Sequence, residues 1–188
     1  SYLLKNSETV AYFGQDESCE SSPKLLKVSL TGLNTSEPKS AAILASAFSN
    51  KGSSINQILE VDTNYLLTGP QLCIWDSLSL NQLFCSNSSI NHTHIVCIDR
   101  ETCYSADGDS DYMRIHRFKI DWNSDSRIHQ LKTRSSRIHG KAIGLSLTPG
   151  NHLWVCDSRY CGLMDGSSLG WLNEGHWTTN GVDLWVHQ

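Results

Sequence analysis

The chain has 188 residues, 39% of them apolar and 18% charged, with a formal net charge of −4 at neutral pH. That length suits one folded body with a sizeable core, while both fractions fall below the usual ~45–50% and ~25%. Ser, Thr and Asn fill the difference, as in secreted glycoproteins. The acidic balance argues against nucleic acid as a partner, even though basic residues gather between Arg114 and Lys141. No apolar run approaches the ~20 residues of a membrane span.

In chain order, the N-terminal SYLLKNSETV lacks the basic end and long apolar stretch of a signal peptide. It is read as the start of a processed chain or of an ectodomain cut from a longer precursor. Cys19 is the odd one of seven cysteines and is expected to be unpaired or bridged to another chain. KLLKVSLTGL, residues 24–33, has a strand-like apolar pattern ending at glycine. Ser36 then offers a cap and Pro38 fits a first helical turn, so a short helix is predicted over about 37–48. Ala41, Leu44, Ala45 and Phe48 would share its inner face, packed on a sheet.

Beyond residue 55 the segments INQILEV, YLLTG, QLCIW, QLFCS, HIVCID, YMRIHRFKID, GLSL, HLWVCD and VDLWVHQ read as short strands separated by turns. MRIHRFKI alternates too imperfectly for its faces to be assigned. The fold class expected is α+β, predominantly antiparallel β with disulfide-stapled hairpins and one helix. Residues 1–188 would form a single extracellular domain, helix-containing over residues 1–55 and disulfide-rich β over residues 56–188.

Six cysteines fall in close pairs bracketing turn-like stretches, which predicts Cys73–Cys85, Cys97–Cys103 and Cys156–Cys161 disulfides and an oxidising compartment. The gaps of eleven, five and four residues compare with the roughly two to four favoured by structural zinc sites, so two of the three are too wide; a site from His92, His94 and Cys97 is the competing reading. Asn34, Asn87 and Asn91 begin sequons for N-glycosylation. Asp107, Asp109 and Asp111 alternate in an acidic turn, offering oxygen ligands for a calcium loop, but Tyr112 and Phe118 exclude an EF-hand. The triplet Arg-Ile-His at 114–116, 127–129 and 137–139 is irregularly spaced and is read as similar strand segments, Ile inward and Arg outward.

Nucleophile signatures are absent: there is no G-x-S-x-G and no H-E-x-x-H, and Gln15 breaks the esterase-like block in FGQDES. No catalytic residues or cofactor are therefore assigned. Four of six tryptophans lie in the C-terminal third, two of them, Trp171 and Trp177, within the Gly/Ser/Asn-rich stretch 165–181. Trp171 and Trp177, with His176 and Arg159 nearby, are the candidate binding residues, because aromatics on exposed loops build contact hot spots.

The run HIVCIDRETCYSADGDSDYMRIHRFKI resembles the disulfide-bracketed hairpins of viral neuraminidase-type propellers, although their catalytic arginine contexts have no matching segments here. The N-terminal order of Cys19, KLLKVSLTGLNTS and SAAILASAF is similar to the receptor-binding subunit of arenaviruses. The resemblance implies an attachment glycoprotein of an enveloped virus, on the virion surface or secreted. Its non-catalytic domain would bind a host receptor, protein or glycan, beside a partner subunit or the rest of a larger glycoprotein. A secreted sialidase- or esterase-like enzyme and a host lectin or adhesion module are the alternatives.

Overall fold

Short runs rich in Ile, Leu, Val and aromatics, punctuated by Asp, Asn, Gly and Ser, favour antiparallel meanders over longer crossovers. The computed structural model describes residues 2–4, 10–14, 24–29, 42–48, 55–107, 112–125, 127–139, 142–157 and 161–173. Among them the chain forms sixteen strands in four sheets and no helix. Cys19, Asn34, Asp109, Asp111, Arg159, His176, Trp177 and the VDLWVHQ segment lie outside the described residues.

Two compact units divide the chain, Ser1–Ile90 and Asn91–Gln188. In the first unit, Tyr2–Leu4 (β1), Val10–Gly14 (β2), Lys24–Ser29 (β3) and Ala42–Phe48 (β4) make the first sheet. Gln57–Asp62 (β5), Tyr65–Gly69 (β6), Cys73–Asp76 (β7) and Gln82–Cys85 (β8) make the second. In the second unit, the third sheet holds His92–Cys97 (β9), Thr102–Asp107 (β10), Tyr112–Ile120 (β11) and Ile128–His139 (β12). The fourth holds Ala142–Leu147 (β13), His152–Asp157 (β14), Cys161–Asp165 (β15) and Trp171–Asn173 (β16). Every sheet is a four-stranded antiparallel meander in chain order.

Each unit buries a core between its two sheets. Tyr12 and Leu25 meet Ile58, Leu66, Trp75 and Leu80 in the first. Tyr104, Met113 and Ile115 meet Leu153, Val155 and Met164 in the second. Removing one such side chain from water contributes about 1.5–3 kcal/mol. Buried Trp75 donates its indole N–H to Thr68 Oγ1 at 2.9 Å, so its polar atom is satisfied inside the sheet.

The helix expected over about 37–48 is corrected: Ala42–Phe48 is the fourth strand of the first sheet, which makes the fold all-β. Ala and Leu are good helix formers, but intrinsic propensity is a weak determinant, and pairing with β3 along Lys24–Ser29 overrides it. Ala45 and Ala47 reach the core, whereas Leu44, placed on the helix's inner face, is exposed.

A β-bulge explains why. Between Lys27/Val28 on β3 and Ala45/Ile43 on β4 the register shifts by one residue, and Leu44 is the extra one. The same irregularity recurs in the other three sheets, each time between third and fourth strand, with Leu83, Leu131 and Leu172 as the extra residues. Their exposures are 53, 39, 52 and 52% in chain order.

Strand β11 defies simple alternation because it is buried on both faces. Met113 and Ile115 join the core of the second unit, and His116, Phe118 and Ile120 are buried as well. A strand covered on two sides shows no apolar/polar alternation.

The three expected disulfides form: Cys73–Cys85, Cys97–Cys103 and Cys156–Cys161, with Cα separations of 4.1, 4.0 and 4.1 Å. In each, the two cysteines stand directly opposite on neighbouring strands. They staple the third to the fourth strand in the second sheet, the first to the second in the third, and the second to the third in the fourth. All act within a sheet, so they fix register.

One glycine is required by close packing. The Trp171 ring lies over Gly162 on the neighbouring strand, where any Cβ would overlap it. Gly162→Ala should therefore destabilise the chain by about 1–3 kcal/mol through overpacking. Gly144→Ala, whose Cβ would meet only Cys156 Cβ at 3.8 Å, should stay within about 1 kcal/mol. Urea midpoints of the two variants decide it; equal midpoints would contradict the packing.

Candidate functional site

Tight turns between third and fourth strands are built around an aspartate. In the second sheet, Asp76 Oδ1 accepts hydrogen bonds from the Leu78 and Ser79 amides at 3.1 and 2.7 Å and from Ser79 Oγ at 2.7 Å. In the fourth, Asp165 Oδ1 accepts from the Ser168 amide and Ser167 Oγ, both at 2.7 Å. Bonds from Ser79 and from Ser168 chiefly hold the two carboxyls below the usual carboxylate range. Leu80 and Leu169 close these turns with φ of 57° and 52°, a backbone disfavoured for leucine. Their fully buried side chains compensate that cost.

The sheet preceding each turn reaches out to hold it. Tyr12 on β2 stands opposite Lys27 on β3, and both donate to the Ser77 carbonyl at 3.1 Å. The ammonium also lies 5.8 Å from the Tyr12 ring centre. In the second unit, Tyr104 on β10 stands opposite Arg117 on β11, and Arg117 donates to the Ser167 carbonyl at 3.3 Å. A Cβ on Gly166 would come within 2.9 Å of the Tyr104 hydroxyl, so that turn needs glycine. Both units thus repeat one clasp: tyrosine from a second strand and a cation from a third, closed on the next sheet's turn.

A row of buried polar groups crosses the third sheet. His92 Nδ1 lies 2.6 Å from Ser105 Oγ, and the His92 ring meets His116 edge-on at 5.4 Å. His116 Nδ1 lies 3.0 Å from Thr133 Oγ1, while Arg114 pairs with buried Asp107 at 2.6 Å. Ser105 beside His92 has the spacing of a nucleophile and its base. Ser105 is fully buried, however, and Asp107 serves Arg114. A hydroxyl shut away from solvent meets no substrate, so the row acts as a polar ladder inside the sheet.

The sequence matches no protein-family model and no curated protein. Solved structures with the same fold include the WD40 β-propeller domain of Doa1, at TM-score 0.60 and 12% identity over 90% of this chain and 50% of that one. BamB from Moraxella catarrhalis follows at 0.59 and 14%, again over 90% and 50%. The computationally designed Ika8 protein gives 0.61 and 13%, over 94% and 49%. At such identities the likeness establishes fold alone: the four sheets are blades of the β-propeller class. The chain spans about half the length of these structures.

Of the residues singled out in the sequence, Trp171 is half-buried, packed on Gly162 and the core. Asp107 is no open calcium ligand, because it is buried against Arg114. Asn87 is exposed in the loop after β8, and Asn91 is half-buried just before β9. Sequence reasoning missed the turn aspartates and the clasp. D-S-L-S-L at 76–80 and D-G-S-S-L at 165–169 were the available signal, with Asp121 midway, just after β11. A period near 45 residues is what four-stranded blades produce.

Burial, then the neighbouring His116, pushes His92 down to about 4 from its ordinary 6.5, against the pull of Asp107. Burial lowers His116 too. On unfolding the rings regain ordinary basicity, so the unfolded chain binds more protons below pH 6.5. The histidine contribution should be complete above about pH 6.5 and fade towards about pH 4, His92 alone accounting for about 3 kcal/mol. At lower pH, protonation of Asp76 and Asp165, whose carboxyls are held low in the folded chain, continues the decline. Urea titrations at about pH 7 and about pH 5 test this: His92→Gln should flatten the decline, and an undiminished slope would contradict it.

Proposed function

We propose that the chain is a non-catalytic recognition domain of an extracellular protein, used for attachment to a host-cell receptor. One observation carries the reading: every outer strand holds an exposed leucine at its bulge, Leu44, Leu83, Leu131 or Leu172. Aliphatic side chains on rigid strands suit burial against an apolar protein surface. A bulge also turns an edge strand away from uncontrolled pairing, which leaves its side chain as the point of contact.

Location supports the same reading. Three disulfides belong to an oxidising, extracellular or secreted setting. The viral form of the proposal draws on the resemblance of the Cys97–Cys103 hairpin and following strand to neuraminidase-type propellers, beside a propeller-class fold. Trp177, His176 and Arg159, the candidate binding residues of the sequence, stay part of the proposal as sequence candidates only, since they lie outside the described residues.

The test is binding of the purified chain to receptor-bearing cells. Leu131→Ser with Leu172→Ser should weaken binding about tenfold or more while the far-ultraviolet circular dichroism stays that of the parent. Binding unchanged by both substitutions would overturn the assignment.

A further inference from the structure

We propose that Asn87 carries an N-linked glycan in the mature protein and that Asn91, four residues on, does not. The inference rests on the extracellular reading above, since sequons are modified only on chains entering a secretory pathway. Sequence alone treats Asn87-Ser88-Ser89 and Asn91-His92-Thr93 as equals. Their surroundings differ in every respect that a bulky, hydrated sugar chain would sense.

Asn87, Ser88 and Ser89 are all exposed, in the connection between β8 and β9. The Ser88 hydroxyl accepts the Ile90 amide at 3.1 Å, a local turn that leaves the loop outside any sheet ladder. Asn91, by contrast, has its carboxamide oxygen buried where the chain runs into β9. His92, the middle residue of that sequon, is buried and bonded to Ser105. Thr93, whose hydroxyl completes it, donates to the Ala106 carbonyl at 3.2 Å.

In the transfer, the Asn87 amide nitrogen bonds to the anomeric carbon of a lipid-pyrophosphate-linked oligosaccharide. The bond from that carbon to the pyrophosphate oxygen breaks, and lipid pyrophosphate and one amide proton are released. Transfer meets the chain before it folds, so the folded state acts as a filter. A glycan on Asn91 would have to be accommodated where the amide meets the third sheet beside buried His92. One on Asn87 projects into solvent and leaves β8 and β9 untouched.

The experiment is secretion of the full chain behind a leader from a eukaryotic host, followed by glycosidase release in heavy-oxygen water and peptide mass spectrometry. The expected result is the heavy-oxygen label at Asn87 and none at Asn91. Asn87→Gln should remove one glycan's mass on a denaturing gel, and Asn91→Gln should leave mobility unchanged. A label at Asn91, or an unlabelled Asn87, overturns the proposal. The unreduced portion of the same digest separates the two ways of failing. Intact Cys73–Cys85 and Cys97–Cys103 peptides with an unlabelled Asn87 would refute the glycan alone, and missing disulfides would refute the extracellular reading with it.

Discussion

The Ser77 carbonyl, gripped by Lys27 and Tyr12 from the preceding blade, is the interaction on which the first unit depends. The disulfides are confined to single sheets, stapling strands already paired by backbone hydrogen bonds. Blade-to-blade cohesion therefore falls to apolar burial and to polar contacts that specify how one sheet meets the next. Burial is non-directional and tolerates sliding. A cation and a phenol converging on one carbonyl fix a position, and hydrogen bonds involving a charged group contribute about 1.5–3 kcal/mol.

The turn offers that carbonyl because its aspartate organises it. Asp76 and Asp165 gather the amides and hydroxyls of the residues that follow, and Leu80 and Leu169 drop into the core beneath. Local sequence, turn geometry, core packing and blade contact are linked through one five-residue segment. Recurrence of the arrangement in both units, with Arg117 and Tyr104 in place of Lys27 and Tyr12, marks it as a building rule of this chain. On the same outer edge of each sheet, the bulge leucines give the fourth strands their exposed apolar points.

Much of the β architecture is legible in the sequence, because short apolar runs between turn residues have one simple solution. The three disulfides are legible for a related reason: cysteines flanking a single turn land opposite each other when its strands pair. SAAILASAF reads as helix because its alanines and leucine carry real helix preference, and only pairing with β3 decides the matter. MRIHRFKI resists assignment because both its faces are buried, which erases the periodic signal. The repeat is hidden because its shared elements are few: an aspartate, a leucine four residues on in two of the turns, and a bulge position that no residue type announces. Trp171 draws notice for its chemistry, yet its ring is spent partly on covering Gly162.

If the clasp couples neighbouring blades, a change on one side of it must be felt on the other, and amide hydrogen exchange on Lys27→Met reads that coupling. The substitution lies in the first sheet, whereas the turn amides of Leu80 and Asn81 belong to the second. Protection of the 76–85 segment should fall roughly tenfold in the variant although none of its residues has changed. Protection of that segment equal to the parent's, with losses confined to β3 and its own sheet, would contradict the coupling.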